Sequence, residues 1–190
     1  EPNRWDISSL RVIVSSGVMF AAETKAGLLR HSERLIMVDA LGSSEAIGMA
    51  QNTTSADGES KTASFELGPN TKILTEDGRE VQPGSDEIGR VALKGNTPIG
   101  YYKDPEKSAK TFQVINGVRW SIPGDWASID ADGTVRLLGR GSQCINTGGE
   151  KVYPEEVEEA LKLHPTVADA AVVGIPDERF GQAITALVEA

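Results

Sequence analysis

Hydrophobic and polar positions follow three different rhythms along this chain. Residues 10–14 form a short apolar run built on Leu10, Val12, Ile13 and Val14, and residues 35–38 form a second, Leu35-Ile36-Met37-Val38. Residues 21–30 between them are rich in helix formers. Strand, helix and strand at this spacing predict a βαβ unit with a parallel sheet. Residues 61–138 change rhythm, with short β-rich runs separated by Asp77-Gly78, Asn116-Gly117 and Asp132-Gly133. Asx-Gly supplies the positive φ that tight hairpins need. Three such pairs predict a small twisted sheet or distorted barrel, interrupted by a turn or two of helix at 105–110.

Residues 141–190 change rhythm again. Pro154 suits the first position of a helix. Glu155, Glu156, Glu158 and Glu159 then place negative charge near the positive end of its dipole. Val157, Ala160 and Leu161 fall on one face by i, i+3, i+4 spacing. His164-Pro165 stops the helix, and apolar strands follow at 167–173 and 184–190. The fold class is therefore α/β and α+β. The expected units are residues 1–60, the end of an α/β subdomain; 61–138, a β-rich, barrel-like subdomain; 139–142, a hinge; and 143–190, part of a small α+β domain.

Composition narrows the function. The chain has 190 residues and a net charge of −9, from 28 acidic and 19 basic side chains. No basic block of the kind that tracks a phosphate backbone is present, which argues against nucleic-acid binding. Cys144 is the only cysteine, so no internal disulfide can form. No apolar run approaches the ~20 residues of a membrane helix. A cytoplasmic protein fits these features, and they are compatible with a homo-oligomer. The polar start without Met and the strand-like end predict a piece of a longer chain.

Four segments could carry chemistry. In Gly42-Ser43-Ser44-Glu45, directly after the second strand, hydroxyls could meet a phosphate and the carboxylate could hold Mg²⁺, which takes one or two carboxylates plus phosphate oxygens. The plainer alternative is a loop in which Ser44 caps a short helix. Asp125, in Pro123-Gly124-Asp125-Trp126, could accept hydrogen bonds from paired hydroxyls, or simply be turn chemistry. Arg140 offers a planar fork of donors beside a glycine joint, or pairs with a surface acid. Gly148-Gly149 could let backbone approach a ligand, with Lys151 near it, or form an ordinary turn. His31 and His164 stand near helix ends, and Cys144 reads as a small buried side chain. Ser15-Ser16-Gly17 follows a strand but lacks the lysine of a phosphate-cradling loop.

In their order and spacing these segments resemble the acyl-CoA synthetases of the adenylate-forming superfamily, which also holds luciferases and peptide-synthetase adenylation domains. The resemblance runs from Asp6 to Ala190. Gly42-Ser43-Ser44-Glu45 is similar to the Gly-x-Thr/Ser-Glu motif, which implies that a hydroxyl, here Ser44, meets the phosphates of ATP and that Glu45 binds Mg²⁺. Gly100-Tyr101-Tyr102-Lys103-Asp104-Pro105 through Thr111-Phe112 resembles a structural segment of the family. Asp125 resembles the ribose-binding aspartate, and Arg140 the arginine that also contacts the nucleotide. Gly148-Gly149-Glu150 resembles the loop that approaches the pantetheine of coenzyme A. The resemblance implies ATP-dependent activation of a carboxylic acid, with two departures: Leu41 replaces the aromatic that stacks on adenine, and Ser142 stands at the hinge position. The phosphate loop and the catalytic lysine of the family are expected before Glu1 and after Ala190, so this piece alone is expected to be inactive.

The implied reaction makes acyl-adenylate from a fatty or other bulky apolar acid and transfers the acyl group to coenzyme A. The implied partners are small molecules only: ATP, the acid and coenzyme A. Two alternatives stand beside it. One is an adenylation domain that loads a carrier protein; the other is a non-catalytic relic that binds nucleotide.

Overall fold

In the computed structural model, which describes residues 6–18, 20–58, 61–141 and 144–190 and only the backbone of Lys151, the described residues form two sheets and three helices. The first strand, β1 (Val12–Ser16), leads through α1 (Ala22–Leu29) to β2 (Ile36–Ser43), and β1 and β2 pair in parallel. This is the expected βαβ unit. The parallel pairing ends there, because β3 (Ala46–Thr54) folds back on β2 as an antiparallel strand. Hydropathy did not flag β3. Its apolar positions are small or irregularly spaced, yet Ala46, Met49 and Ala50 enter the core.

Through β3 the two expected subdomains share one sheet. β4 (Ser64–Leu67) pairs with β3 and also with β10 (Val135–Arg140). The path then runs through β9 (Asp125–Ile129), β6 (Ile88–Lys94), β8 (Val118–Ser121) and β7 (Phe112–Ile115), with β5 (Thr71–Leu74) added to β6. The main core lies where these strands meet, around Met49, Phe65, Ile73, Val81, Val91, Ala127 and Val135. All three Asx-Gly pairs are turns. Asn116 and Gly117 both take positive φ, 50° and 76°, as a two-residue hairpin of the right twist requires. At Asp77-Gly78 and Asp132-Gly133 only the glycine does, in the longer hairpin that ends on a left-handed residue. The short helix α2 (Pro105–Thr111) is capped by Asp104, whose Oδ1 accepts the Lys107 N–H at 2.9 Å.

The second sheet has the order β12 (Glu150–Val152), β11 (Ile145–Thr147), β14 (Gly181–Glu189), β13 (Asp169–Asp177). Helix α3 (Pro154–Lys162) packs on β13 and touches β10. Glu158 accepts the Val172 N–H at 2.8 Å and fastens the helix to the strand.

Helix α1 is held differently. Its apolar residues are not gathered on one face, so hydrophobic docking is weak, and Ala21 at its N-cap has no side chain that can cap it. Lys25, fully buried, donates to the Asp39 carboxylate of β2 and to the Lys61 carbonyl at 2.7 Å. The Ala22 N–H donates to Thr62 Oγ1 at 2.8 Å. Asp39 falls in the buried phase of β2, two residues from Met37, and needs that cation. Replacing Lys25 by Met strands the carboxylate and should cost about 3–5 kcal/mol of stability. The Lys25→Met/Asp39→Leu pair should recover most of it, as measured by urea denaturation.

Candidate active site

The carboxyl ends of β1 and β2, the start of β9 and the end of β10 surround a cleft of about 490 Å³. Gly42, Asp125 and Arg140 all line it, so three separate candidates from the sequence converge. Asp125 and Arg140 are cross-strand partners of β9 and β10. Arg140 Nε donates to Asp125 Oδ1 at 3.3 Å, with the guanidinium half exposed and the carboxylate nearly covered. Burial pushes the Asp125 carboxyl above its ordinary range, and Arg140 opposes the shift. The pair thus presents a carboxylate acceptor and a fork of donors side by side, the complement of vicinal hydroxyls.

A bulge places Arg140 there. The register of β10 against β9 shifts between Leu137 and Gly139, and Gly139 adopts φ 124°. Gly141 has another reason to be glycine. A Cβ on it would lie 2.3 Å from the Trp126 indole nitrogen, and its N–H donates to the Gly124 carbonyl at 3.1 Å. The joint is packed here against β9, where the sequence implied only flexibility. Ser142, the expected hinge residue, lies outside the described residues.

The Gly42-Ser43-Ser44-Glu45 segment is a hairpin, which disposes of the helix-cap alternative. Gly42 and Ser43 end β2, Ser43 pairs with Ala46, and Ser44 and Glu45 form the turn. Ser44 is exposed, while Ser43 Oγ is buried without a well-formed hydrogen bond. Ser43 nonetheless lies close enough to help lower the Glu45 pKa. The turn is fixed from the far side of the sheet, since Ser121 Oγ donates to the Glu45 carbonyl at 2.7 Å. Tyr101 Oη donates to Glu45 Oε1 at 2.5 Å, the main cause that holds the Glu45 carboxyl below its usual range. Tyr101 in turn is pushed up by burial and by that bond. Among the described residues no group of three or more His, Cys, Asp or Glu forms a metal cage. The single carboxylate of Glu45 fits Mg²⁺ that arrives with phosphate oxygens as its other ligands.

The remaining candidates lie elsewhere. Gly148 and Gly149 form the tip of the β11–β12 hairpin with φ 58° and 91°, and the Gly148 N–H donates to the Phe180 carbonyl at 2.9 Å. Neither lines the cleft. The side chain of Lys151 lies outside what is described. Cys144 is half-buried, not fully buried. His31 and His164 follow helix ends as expected, and His164 Nδ1 lies 3.0 Å from Thr166 Oγ1. Sequence reasoning missed the walls: Ser15 near the end of β1, Gly17, Val18 and Phe20 after it, Asp39 in β2, and Glu155 in α3. Asp39 carried a signal, a charge in the buried phase of a strand. Ser15 and Gly17 were set aside for want of a lysine.

The family described as "AMP-binding enzyme C-terminal domain" matches residues 156–190. A medium/long-chain-fatty-acid–CoA/3-oxocholest-4-en-26-oate–CoA ligase of Mycobacterium tuberculosis (strain ATCC 25618 / H37Rv) is 49% identical over 190 residues, covering 99% of this chain and 34% of the relative. A 3-oxocholest-4-en-26-oate–CoA ligase of Rhodococcus rhodochrous is 48% identical over 188 residues, covering 97% and 33%. The anthranilate CoA ligase AuaEII, solved with anthranoyl-AMP, superposes with a TM-score of 0.79 at 31% identity, covering 96% of this chain and 34% of that one. The relatives that match this chain along nearly its whole length are acyl-CoA ligases, and the solved structures it resembles include a CoA ligase holding an acyl-adenylate. It spans about a third of the length of the curated relatives it matches.

The Tyr101–Glu45 bond has a pH signature. A carboxyl whose folded pKa lies below its ordinary 4.5 stabilises the fold above that pH, and the contribution is lost as pH falls through the folded value. Tyr101→Phe removes the main cause. The variant should be less stable than wild type at neutral pH, and the difference should shrink on acidification, as read from urea midpoints at several pH values.

Proposed function

We propose that the protein carrying this chain activates a carboxylic acid with ATP and transfers the acyl group to coenzyme A. The observation that carries this reading is the convergence of Gly42, Asp125 and Arg140 on one cleft, with the Glu45 turn at the end of the same strand. In the first step the substrate carboxylate attacks the α-phosphorus of ATP, and pyrophosphate leaves. In the second the coenzyme A thiol loses its proton and attacks the acyl carbonyl, and AMP leaves. Asp125 and Arg140 would release each other enough to take the ribose hydroxyls between them. Ser43 and Ser44 would donate to phosphate oxygens. Glu45, kept ionised by Tyr101, would hold Mg²⁺, which offsets the phosphate charge.

The contribution of such a site is positioning and charge neutralisation. The acid is fatty or otherwise bulky and apolar, in keeping with the names of the relatives. Substrates are small molecules, and the setting is the cytoplasm; no described helix is long and apolar enough to cross a membrane. The Gly148-Gly149 tip is the part offered to coenzyme A in this reading, reaching it when the smaller sheet turns about residues 139–142.

The test is acid-dependent pyrophosphate release by the full-length protein, followed by thioester formation with coenzyme A. Glu45→Gln should lower the first step by about 10²–10³-fold, the cost of losing one preorganised charge contact. Asp125→Ala should weaken nucleotide binding. Pyrophosphate release that ignores the carboxylic acid, or that survives Glu45→Gln at full rate, would remove the reading. Transfer to a carrier protein with none to free coenzyme A would replace the acceptor.

A further inference from the structure

Glu155 belongs to the first turn of α3, yet it lines the same cleft as Asp125, Gly139 and Arg140. Its Oε2 is closed off from solvent and has no hydrogen-bond partner among the described residues. Buried acceptors are nearly always paired, and one left unpaired is costly. The carboxylate can come this close because Gly139 has no side chain: a Cβ there would lie 2.6 Å from Glu155 Oε2. Two carboxylates, Asp125 and Glu155, therefore face this wall with one guanidinium, whose Nε is already turned to Asp125 at 3.3 Å. A phosphate would meet more negative than positive charge here. A hydroxyl would satisfy the orphaned oxygen.

We propose that Glu155 is a further binding residue, an acceptor for a hydroxyl group of the ligand that also engages Asp125 and Arg140. It rests on the nucleotide reading above and names the sugar hydroxyls as the group bound. The ligand then bridges the large sheet and α3, since the third polar group comes from the helix. Occupancy of the cleft and docking of α3 become linked, because the orphaned oxygen gains its partner only when both are in place.

The experiment compares ATP with 2′,3′-dideoxy-ATP on the full-length protein, by calorimetry on wild type, Glu155→Ala and Glu155→Gln. Loss of a hydrogen bond to a charged acceptor should weaken ATP by about ten-fold in Glu155→Ala and leave the dideoxy nucleotide unchanged. Glu155→Gln keeps an acceptor oxygen and should stay within about three-fold of wild type for ATP. Equal weakening of both nucleotides by Glu155→Ala would make the residue merely structural and overturn the proposal. So would unchanged ATP binding, or tighter binding, which would mean that the carboxylate repels phosphates. Wild-type protein that binds neither nucleotide would overturn the functional reading itself and this inference with it. Wild-type binding that is insensitive to Glu155 removes the inference alone.

Discussion

The register of β9 against β10 governs the cleft. It sets Arg140 opposite Asp125, and it does so only because of the irregularity between Leu137 and Gly139. A strand of unbroken alternation keeps residues four apart on one face. Arg136 and Arg140 are four apart, yet Arg136 pairs with Asp130 at the surface and Arg140 lines the cleft. The bulge resets the phase between them, as a one-residue slip does. Gly139 can take the required φ of 124°, a conformation that side-chain-bearing residues rarely adopt.

The second anchor couples regions that look independent along the chain. The Glu45 turn extends from β2 and β3, but its carbonyl is held by Ser121 of β8 and its carboxylate by Tyr101. Tyr101 is itself held, its N–H donating to Ser108 Oγ of α2 at 2.7 Å and its ring packed against Phe112 with centroids 5.8 Å apart. The segment from Gly100 to Phe112 therefore acts on the site through Tyr101, although its resemblance implied a structural role. Loosening α2 would free the Glu45 carboxylate from Tyr101.

Strong local signals were legible in the sequence. The βαβ spacing, the Asx-Gly turns and the Pro154 helix start each have a cause within a few residues, and each stands where the pattern put it. Asp125 and Arg140 were legible as candidates from chemistry and family resemblance, but their opposition across two strands was not, because a bulge leaves no periodic trace. β3 was missed since Gly48, Gln51 and Asn52 dilute its alternation. Glu155 was read as a helix-dipole residue, which its position in the first turn supports. Its place in the cleft depends on how α3 meets β10, a long-range contact that no local pattern encodes.

That contact constrains residues 139–141. Two glycines invite the idea of a loose swivel, yet both are filled spaces: Gly139 by the Glu155 carboxylate and Gly141 by the Trp126 indole. Rotation of the smaller sheet about this joint must separate Glu155 from Gly139, and moving Gly141 must break its hydrogen bond to Gly124. Packed contacts of this kind are made or broken, not stretched, so the joint favours discrete arrangements over a continuum. An occupant of the cleft that touches both Arg140 and Glu155 would bias that choice, and its departure would release it.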